Sequence, residues 1–184
     1  MPTPVNTILG NQGDDILMGA ARADRISGGI GDDLIWGNRG GDFLFGGAGD
    51  DCLYGDLGDD TLVGGAGRDT LAGGDGADLF MFARATDTDS GALARDLILD
   101  FSHAEGDRID LSAIDANARA AGDQAFRFIG QAAFSGQGGQ LRLVAGERGL
   151  LIEGDINGDQ RADIQLQLAG ATLPGVPTAD ALVL

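Results

Sequence analysis

Eight nine-residue units run without a break from Gly10 to Met81, each opening on glycine and each carrying aspartate at its sixth position. The clearest copies are GGIGDDLIW (Gly28–Trp36), GGAGDDCLY (Gly46–Tyr54) and GGAGRDTLA (Gly64–Ala72). The first positions are Gly10, Gly19, Gly28, Gly37, Gly46, Gly55, Gly64 and Gly73, and the eighth are Leu17, Ile26, Ile35, Leu44, Leu53, Leu62, Leu71 and Phe80. No coiled coil or helical solenoid has this period. Six residues read as a turn and three as a short strand whose middle, large apolar side chain fills a core. Two units then close one coil of roughly 18 residues, so the array makes about four coils with the eighth-position side chains between two stacked parallel sheets. The expected class is all-β, a right-handed parallel β-roll.

The sixth positions are Asp15, Asp24, Asp33, Asp42, Asp51, Asp60, Asp69 and Asp78. Alternate units lie on the same side of such a roll, so Asp15, Asp33, Asp51 and Asp69 form one row and Asp24, Asp42, Asp60 and Asp78 the other. Successive coils stack about 4.8 Å apart. Two unit charges near 5 Å repel by roughly 3 kcal/mol at an effective dielectric of about 20. A divalent cation between turns reverses that sign. Ca²⁺ takes six to eight carboxylate and carbonyl oxygens in flexible geometry, and glycine lets the turn carbonyls face it. The expected ligands are the eight aspartates together with the fourth-position glycines Gly31, Gly40, Gly49, Gly58, Gly67 and Gly76. Three gaps between adjacent turns on each side give about six sites or more. Mg²⁺ demands tighter octahedral geometry, and Zn²⁺ would want His or Cys, which the pattern lacks. In GAARADRIS (Gly19–Ser27) Arg22 occupies the fourth position, which predicts a poorer site at Asp24. Six sites each worth about 1.4 kcal/mol at ten times Kd supply roughly 8 kcal/mol, comparable to the stability of a whole domain. The repeat region is therefore expected to be largely unfolded without calcium.

Charge supports a cation-dependent chain. It carries 29 acidic and 12 basic residues, for a net charge of −17, which argues against nucleic acid and against an anionic membrane surface as partners. Cys52 is alone and excludes an internal disulfide; at the seventh position of its unit it is expected to face outward. The start, MPTPVNTILG, lacks the basic and apolar regions of a cleaved signal peptide, and no apolar run reaches the length of a membrane span.

The period stops near residue 82, which suggests a calcium-binding roll with its N-terminal cap over 1–81 and a β cap over 82–184. Before the array, Asn6 and Ile8 fall on the sixth- and eighth-position phase of a degenerate half-turn. After it, Leu79–Phe82, Leu97–Phe101, Arg108–Leu111, Phe126–Ile129, Leu141–Val144, Leu150–Glu153 and Ile164–Leu168 read as strands between Gly, Asp and Ser clusters. This half is expected to be an antiparallel, sandwich-like cap over the open end of the roll. Ala113–Ala121, with Ser112 as N-cap, is the one helix candidate.

The repeats resemble those of the RTX (repeats-in-toxin) family. The downstream segments DLILDF (Asp96–Phe101), GDRIDLSAIDAN (Gly106–Asn117) and EGDINGDQRADIQLQLAG (Glu153–Gly170) resemble, more narrowly, the C-terminal domain of the serralysin metalloproteases. That resemblance implies a β-roll followed by a β-sandwich, calcium binding, and an uncleaved C-terminal signal for a type I secretion exporter. It also implies that Asp89 and Asp96 close the last calcium site of the roll. The ending Asp180-Ala-Leu-Val-Leu184 is similar to the family's export signal, and it also reads as a final core strand. The loop Asp155–Asp163 mimics the start of an EF-hand, yet Gln160 stands at the turn-glycine position and Leu166 where a bidentate Glu belongs, so hairpin turn and calcium loop both remain open.

Serralysins carry a catalytic zinc domain with H-E-x-x-H, and this sequence contains neither that motif nor G-x-S-x-G; its one histidine, His103, cannot build a zinc protease site. The expectation is a non-catalytic module that folds on extracellular calcium and supports type I secretion. The alternatives are a secreted adhesion or polysaccharide-binding protein, using Trp36, Phe45 and Tyr54, or the detached C-terminal module of a larger secreted enzyme such as a metalloprotease or an alginate epimerase.

Overall fold

The nine-residue period becomes one coil per two units because the strand register advances by 18 residues at every step. A computed structural model describes residues 6–85, 95–117, 122–146, 148–171 and 181–184. The roll contains β1 (Asn6–Gln12), β2 (Ile16–Met18), β3 (Asp24–Ile30), β4 (Leu34–Arg39), β5 (Phe43–Ala48), β6 (Cys52–Leu57), β7 (Thr61–Ala66), β8 (Thr70–Asp75) and β9 (Leu79–Met81). Odd strands stack in parallel in one sheet and even strands in the other. Eighth-position side chains therefore stack on one another: Ile8 on Ile26, Leu44, Leu62 and Phe80 in the first sheet, and Leu17 on Ile35, Leu53 and Leu71 in the second. From Ile26 to Phe80 each is at most 1% exposed. Strands run longer than three residues because second- and third-position residues pair as well, for example Asn38 with Asp56 and Arg39 with Leu57.

The remaining strands are β10 (Asp96–Ile98), β11 (Arg108–Asp110), β12 (Arg127–Phe128), β13 (Gln140–Gly146), β14 (Gly149–Asp155), β15 (Ile164–Ala169) and β16 (Leu182–Val183). They extend the two sheets of the roll. Parallel β10 and β15 follow β8, with antiparallel β14 and β13 beyond, while parallel β11 and β16 follow β9. The antiparallel cap is thus confined to β13–β15, and the core continues through Ile98, Ile109, Leu168 and Leu182 without a break. Leu182 is 5% exposed, so the chain's end is a core strand.

The expected helix does not form in its described part, and residues 118–121 lie outside the described residues. Residues 112–117 are turns and bends. The cause is side-chain competition for backbone amides. Asp110 accepts from both the N–H and the hydroxyl of Ser112, and Asp115 accepts from the N–H groups of Asn117 and Gln124. Ile114 and Ala116 are buried two residues apart, an extended spacing and not a helical one.

Truncating a fully buried rung should open a cavity that stacked neighbours on both sides cannot fill. Leu62→Ala is expected to cost about 2–5 kcal/mol, measured by urea unfolding of both proteins in saturating calcium.

Candidate metal centre

Position six stands at or immediately before the start of each repeat strand, two residues ahead of the core-facing eighth position, so the aspartates are carried inward beside the core. From Asp24 to Asp78 they are at most 2% exposed. Each Oδ1 accepts the backbone N–H of the aspartate one coil earlier. One row runs Asp15 to Asp33, Asp51, Asp69 and Asp96 with N···O distances of 2.9, 2.8, 2.9 and 2.8 Å. The other runs Asp24 to Asp42, Asp60, Asp78 and Asp107 at 2.7, 2.6, 2.9 and 3.0 Å. Below Asp24, Asn6 donates its side-chain amide to Asp24 Oδ1 at 2.7 Å.

The second carboxylate oxygen is differently placed. Oδ2 of Asp15, Asp33, Asp42, Asp51, Asp60 and Asp78 is buried without a hydrogen-bond partner. It lies against the Cα of the first-position glycine of its own unit, in space that a Cβ would fill. At Gly10, Gly37, Gly46 and Gly55 the carbonyl oxygen of the next coil's first glycine enters the same space. A buried anionic oxygen beside a backbone carbonyl is costly unless a cation joins them. Among the described residues no three His, Cys, Asp or Glu side chains converge closely enough to hold a metal ion. Any ion here must therefore draw on backbone carbonyls, and an all-oxygen mixture of carboxylate and carbonyl is a calcium donor set. The aspartates fit that ion, and Asp33, Asp42, Asp51, Asp60 and Asp78 are the side chains that would hold it.

The expected ligands take distinct places in the turns. The fourth-position glycines adopt φ of 129–142° from Gly31 to Gly76. There the carbonyls of Gly31, Gly40, Gly49 and Gly58 point along the stack toward Gly49, Gly58, Gly67 and Gly76 one coil on, while the first-position carbonyls of Gly28, Gly55, Gly64 and Gly73 share the space of Oδ2 of Asp15, Asp42, Asp51 and Asp60. Asp24, two residues after Arg22, spends its Oδ2 on the N–H of Ala20 at 2.7 Å, so it lacks the open oxygen of Asp15, Asp33, Asp42, Asp51, Asp60 and Asp78. Asp96 is fully buried and ends one row, whereas Asp89 lies outside the described residues. Asp107, which sequence reasoning passed over, ends the other row. Its signal was present in Asp107-Arg-Ile109, the same D-x-apolar triplet as in every unit.

Elsewhere, Asp155 is fully buried and accepts from Gly158 and Gln160, and Gln160 takes the turn at φ 72°, as a hairpin between β14 and β15 requires. Trp36 and Tyr54 stack at 5.8 Å on the outer face of the even-strand sheet, while Phe45 lies in the other sheet. Burial pushes the Cys52 thiol pKa up, which disfavours the reactive thiolate.

Burial is also the leading influence on the ladder. It raises the Asp51 and Asp60 carboxyls to about 7 and Asp78 to about 6, opposed by the backbone hydrogen bonds and reinforced by neighbouring aspartates. Asp42 and Asp107 are raised for the same first reason. Without metal, the folded ladder holds protons that an unfolded chain would release.

The family described as peptidase M10 serralysin C terminal matches residues 4–180. Two solved structures are similar, both subunits from the Azotobacter vinelandii mannuronan C5-epimerase. The AlgE6R2 subunit is 30% identical over 96% of this chain and 91% of that chain, with a TM-score of 0.57. The AlgE6R3 subunit is 28% identical over 100% of this chain and 86% of that chain, with a TM-score of 0.54. No curated protein matches the chain.

Raised folded-state pKa values mean that the native state binds more protons than the unfolded state between about pH 4 and the folded pKa values of about 6 to 7. The metal-free fold should therefore be most stable near pH 4 and lose stability as pH rises toward 7. Thermal melts of metal-stripped protein across that range check this, and a melting temperature that climbs with pH would contradict it.

Proposed function

The chain belongs to the serralysin C-terminal family, and from that premise we propose that it is a non-catalytic calcium-binding RTX module that folds on meeting calcium outside the cell. The observation that carries this reading is the set of buried, unpartnered Asp Oδ2 atoms, each beside a glycine Cα and several beside a carbonyl of the next coil. Left ionised and empty, such rows oppose folding. With Ca²⁺ between turns the same rows hold the coils together. A Kd of about 10⁻⁴ to 10⁻³ M, as in extracellular calcium modules, would leave the sites empty in cytosol and filled outside. The low-calcium chain is then extended enough to pass a type I exporter, and the ion supplies the folding free energy after exit.

The proposed division of labour is a roll over residues 1–81 and a cap over 82–184 that carries the export signal at its end. Asp15, Asp33, Asp42, Asp51, Asp60, Asp69, Asp78 and Asp96, with Asp89, are the proposed side-chain ligands, Asp24 is the weakest of the row because its Oδ2 already accepts the Ala20 N–H, and glycine carbonyls complete each shell. Adhesion to a polysaccharide has one favourable observation, the Trp36–Tyr54 stack on an open sheet face. A net charge of −17 opposes that role for a polyanionic chain such as mannuronan, so calcium-dependent folding remains the stronger reading.

Two measurements test the proposal. Far-UV circular dichroism at pH 7.5 should pass from a disordered spectrum in chelator to a β spectrum as calcium rises through the sub-millimolar range, whereas magnesium at the same concentration should not produce the change. A full β spectrum in chelator would contradict it. In cells with a type I exporter, the intact chain should reach the medium and a chain lacking residues 180–184 should stay inside; equal secretion of both would remove the export assignment.

A further inference from the structure

The two sheets of the roll present different outer faces, and only one of them is free of charge. On the even-strand sheet the outward positions of β2, β4 and β6 are Ile16 and Met18, Leu34 and Trp36, and Cys52 and Tyr54. β8, and β10 with the residue after it, continue both rows with threonine, alanine and leucine. None of these ten positions holds a charged residue. On the odd-strand sheet the matching rows include Arg25, Arg108 and Asp110, and the Arg25 guanidinium covers the Phe43 ring at 4.5 Å. Parallel sheets are ordinarily covered on both faces, and an uncharged outer face needs such a cover most.

Ile16 and Met18 are 72% and 60% exposed, and Leu99, at the far side of the same face, is 39% exposed. Between them the side chains are half-buried and stand in register, strand on strand. Trp36 and Tyr54 stack with their planes 17° apart, so the middle of the face is aromatic and stiff. The next position in their row is Ala72, where the stack drops to a step. Five strands spaced about 4.8 Å apart, each about 20 Å long, give a face of roughly 480 Å². Two such faces pressed together would bury about 1,000 Å² in total, the low end for a specific interface.

We propose that this face joins two copies of the chain, packed sheet on sheet as a two-fold dimer when calcium is bound. A chain of net charge −17 repels its own copy wherever that charge is displayed, and over this face two copies meet without opposing like charges. Depletion of charge together with Trp, Tyr and Met is also the composition of an interface centre. A two-fold axis along β6 sets β4 of each copy over β8 of the other. Trp36 then lies over the step at Ala72, large on small, and the symmetry makes that fit twice. The inference rests on the calcium reading, because about six bound Ca²⁺ ions would order the sheet and lower the net charge from −17 to about −5.

Sedimentation equilibrium of the full chain in saturating calcium, from about 1 to 200 µM, tests this. The weight-average mass should climb from the monomer value toward twice that value. Trp36→Arg should hold the monomer mass over the whole range while circular dichroism in calcium keeps the wild-type β spectrum. Phe45→Arg, on the outer face of the other sheet, should dimerise like wild type. If Trp36→Arg does not fold, Ala72→Arg, which sets a charge in the step opposite the partner's Trp36, decides in its place. A folded wild type that stays monomeric overturns the inference and leaves the calcium reading intact. The same holds for a dimer that survives either folded arginine variant of the even sheet, or that is lost in Phe45→Arg. A wild type without β structure in calcium overturns both.

Discussion

Everything in this molecule depends on keeping two rows of carboxylates out of water, stacked coil on coil beside an apolar core. Hydrophobic burial alone would not choose that arrangement. The core rungs are ordinary Leu, Ile and Phe side chains whose burial favours any compact stack. The aspartates set a condition on when that stack is acceptable. Their Oδ1 atoms are satisfied by the amides of neighbouring coils, which fixes the register and links one coil's acid to the next coil's backbone. Their Oδ2 atoms are left in a space defined by glycine, and that space is where a cation would remove the penalty.

Glycine in this fold therefore works with the acids as well as in the turns. A side chain at the first position would occupy the room held by Oδ2 and by the carbonyl of the next coil. At the second position the backbone is left-handed in every unit but the one with Ala20, and where glycine is otherwise absent the residues are Asn11, Asn38 and Asp56, with φ of 84°, 74° and 75°. Those residue types tolerate that region best after glycine. The unit with Ala20 and Arg22 in its turn has an aspartate that turns its second oxygen to a local amide, unlike Asp15, Asp33, Asp42, Asp51, Asp60 and Asp78. Turn composition and the partner of the second carboxylate oxygen thus vary together within one chain.

Much of this was legible in the linear sequence because a strict period transmits geometry directly. Knowing that Leu44 and Leu62 are 18 residues apart is enough to stack them, and the same holds for Asp42 and Asp60. Legibility failed where the period breaks. Asp107 carries the repeat's D-x-apolar triplet, but two extra residues before it shift the phase, so only strand pairing with β9 places it on the ladder. Composition marks first- and fourth-position glycines alike, and only the three-dimensional turn separates them: first-position carbonyls share the space of Oδ2, whereas fourth-position carbonyls point along the stack. In the segment after Leu111, alanine content favoured a helix, but Asp110 and Asp115 capture the amides that a helix would need. The C-terminal residues could be read as a signal or as a strand; the strand is now visible as β16, and it leaves any signalling role a separate matter.

With metal between their rungs, the ladders would stay ionised in the folded protein at neutral pH. X-ray diffraction from crystals grown in calcium at neutral pH, with anomalous data collected at long wavelength, tests it most directly. The account predicts calcium peaks between successive turns, beside the Oδ2 atoms of Asp33, Asp51, Asp42 and Asp60. An ordered roll at that pH with only water in those gaps would contradict it.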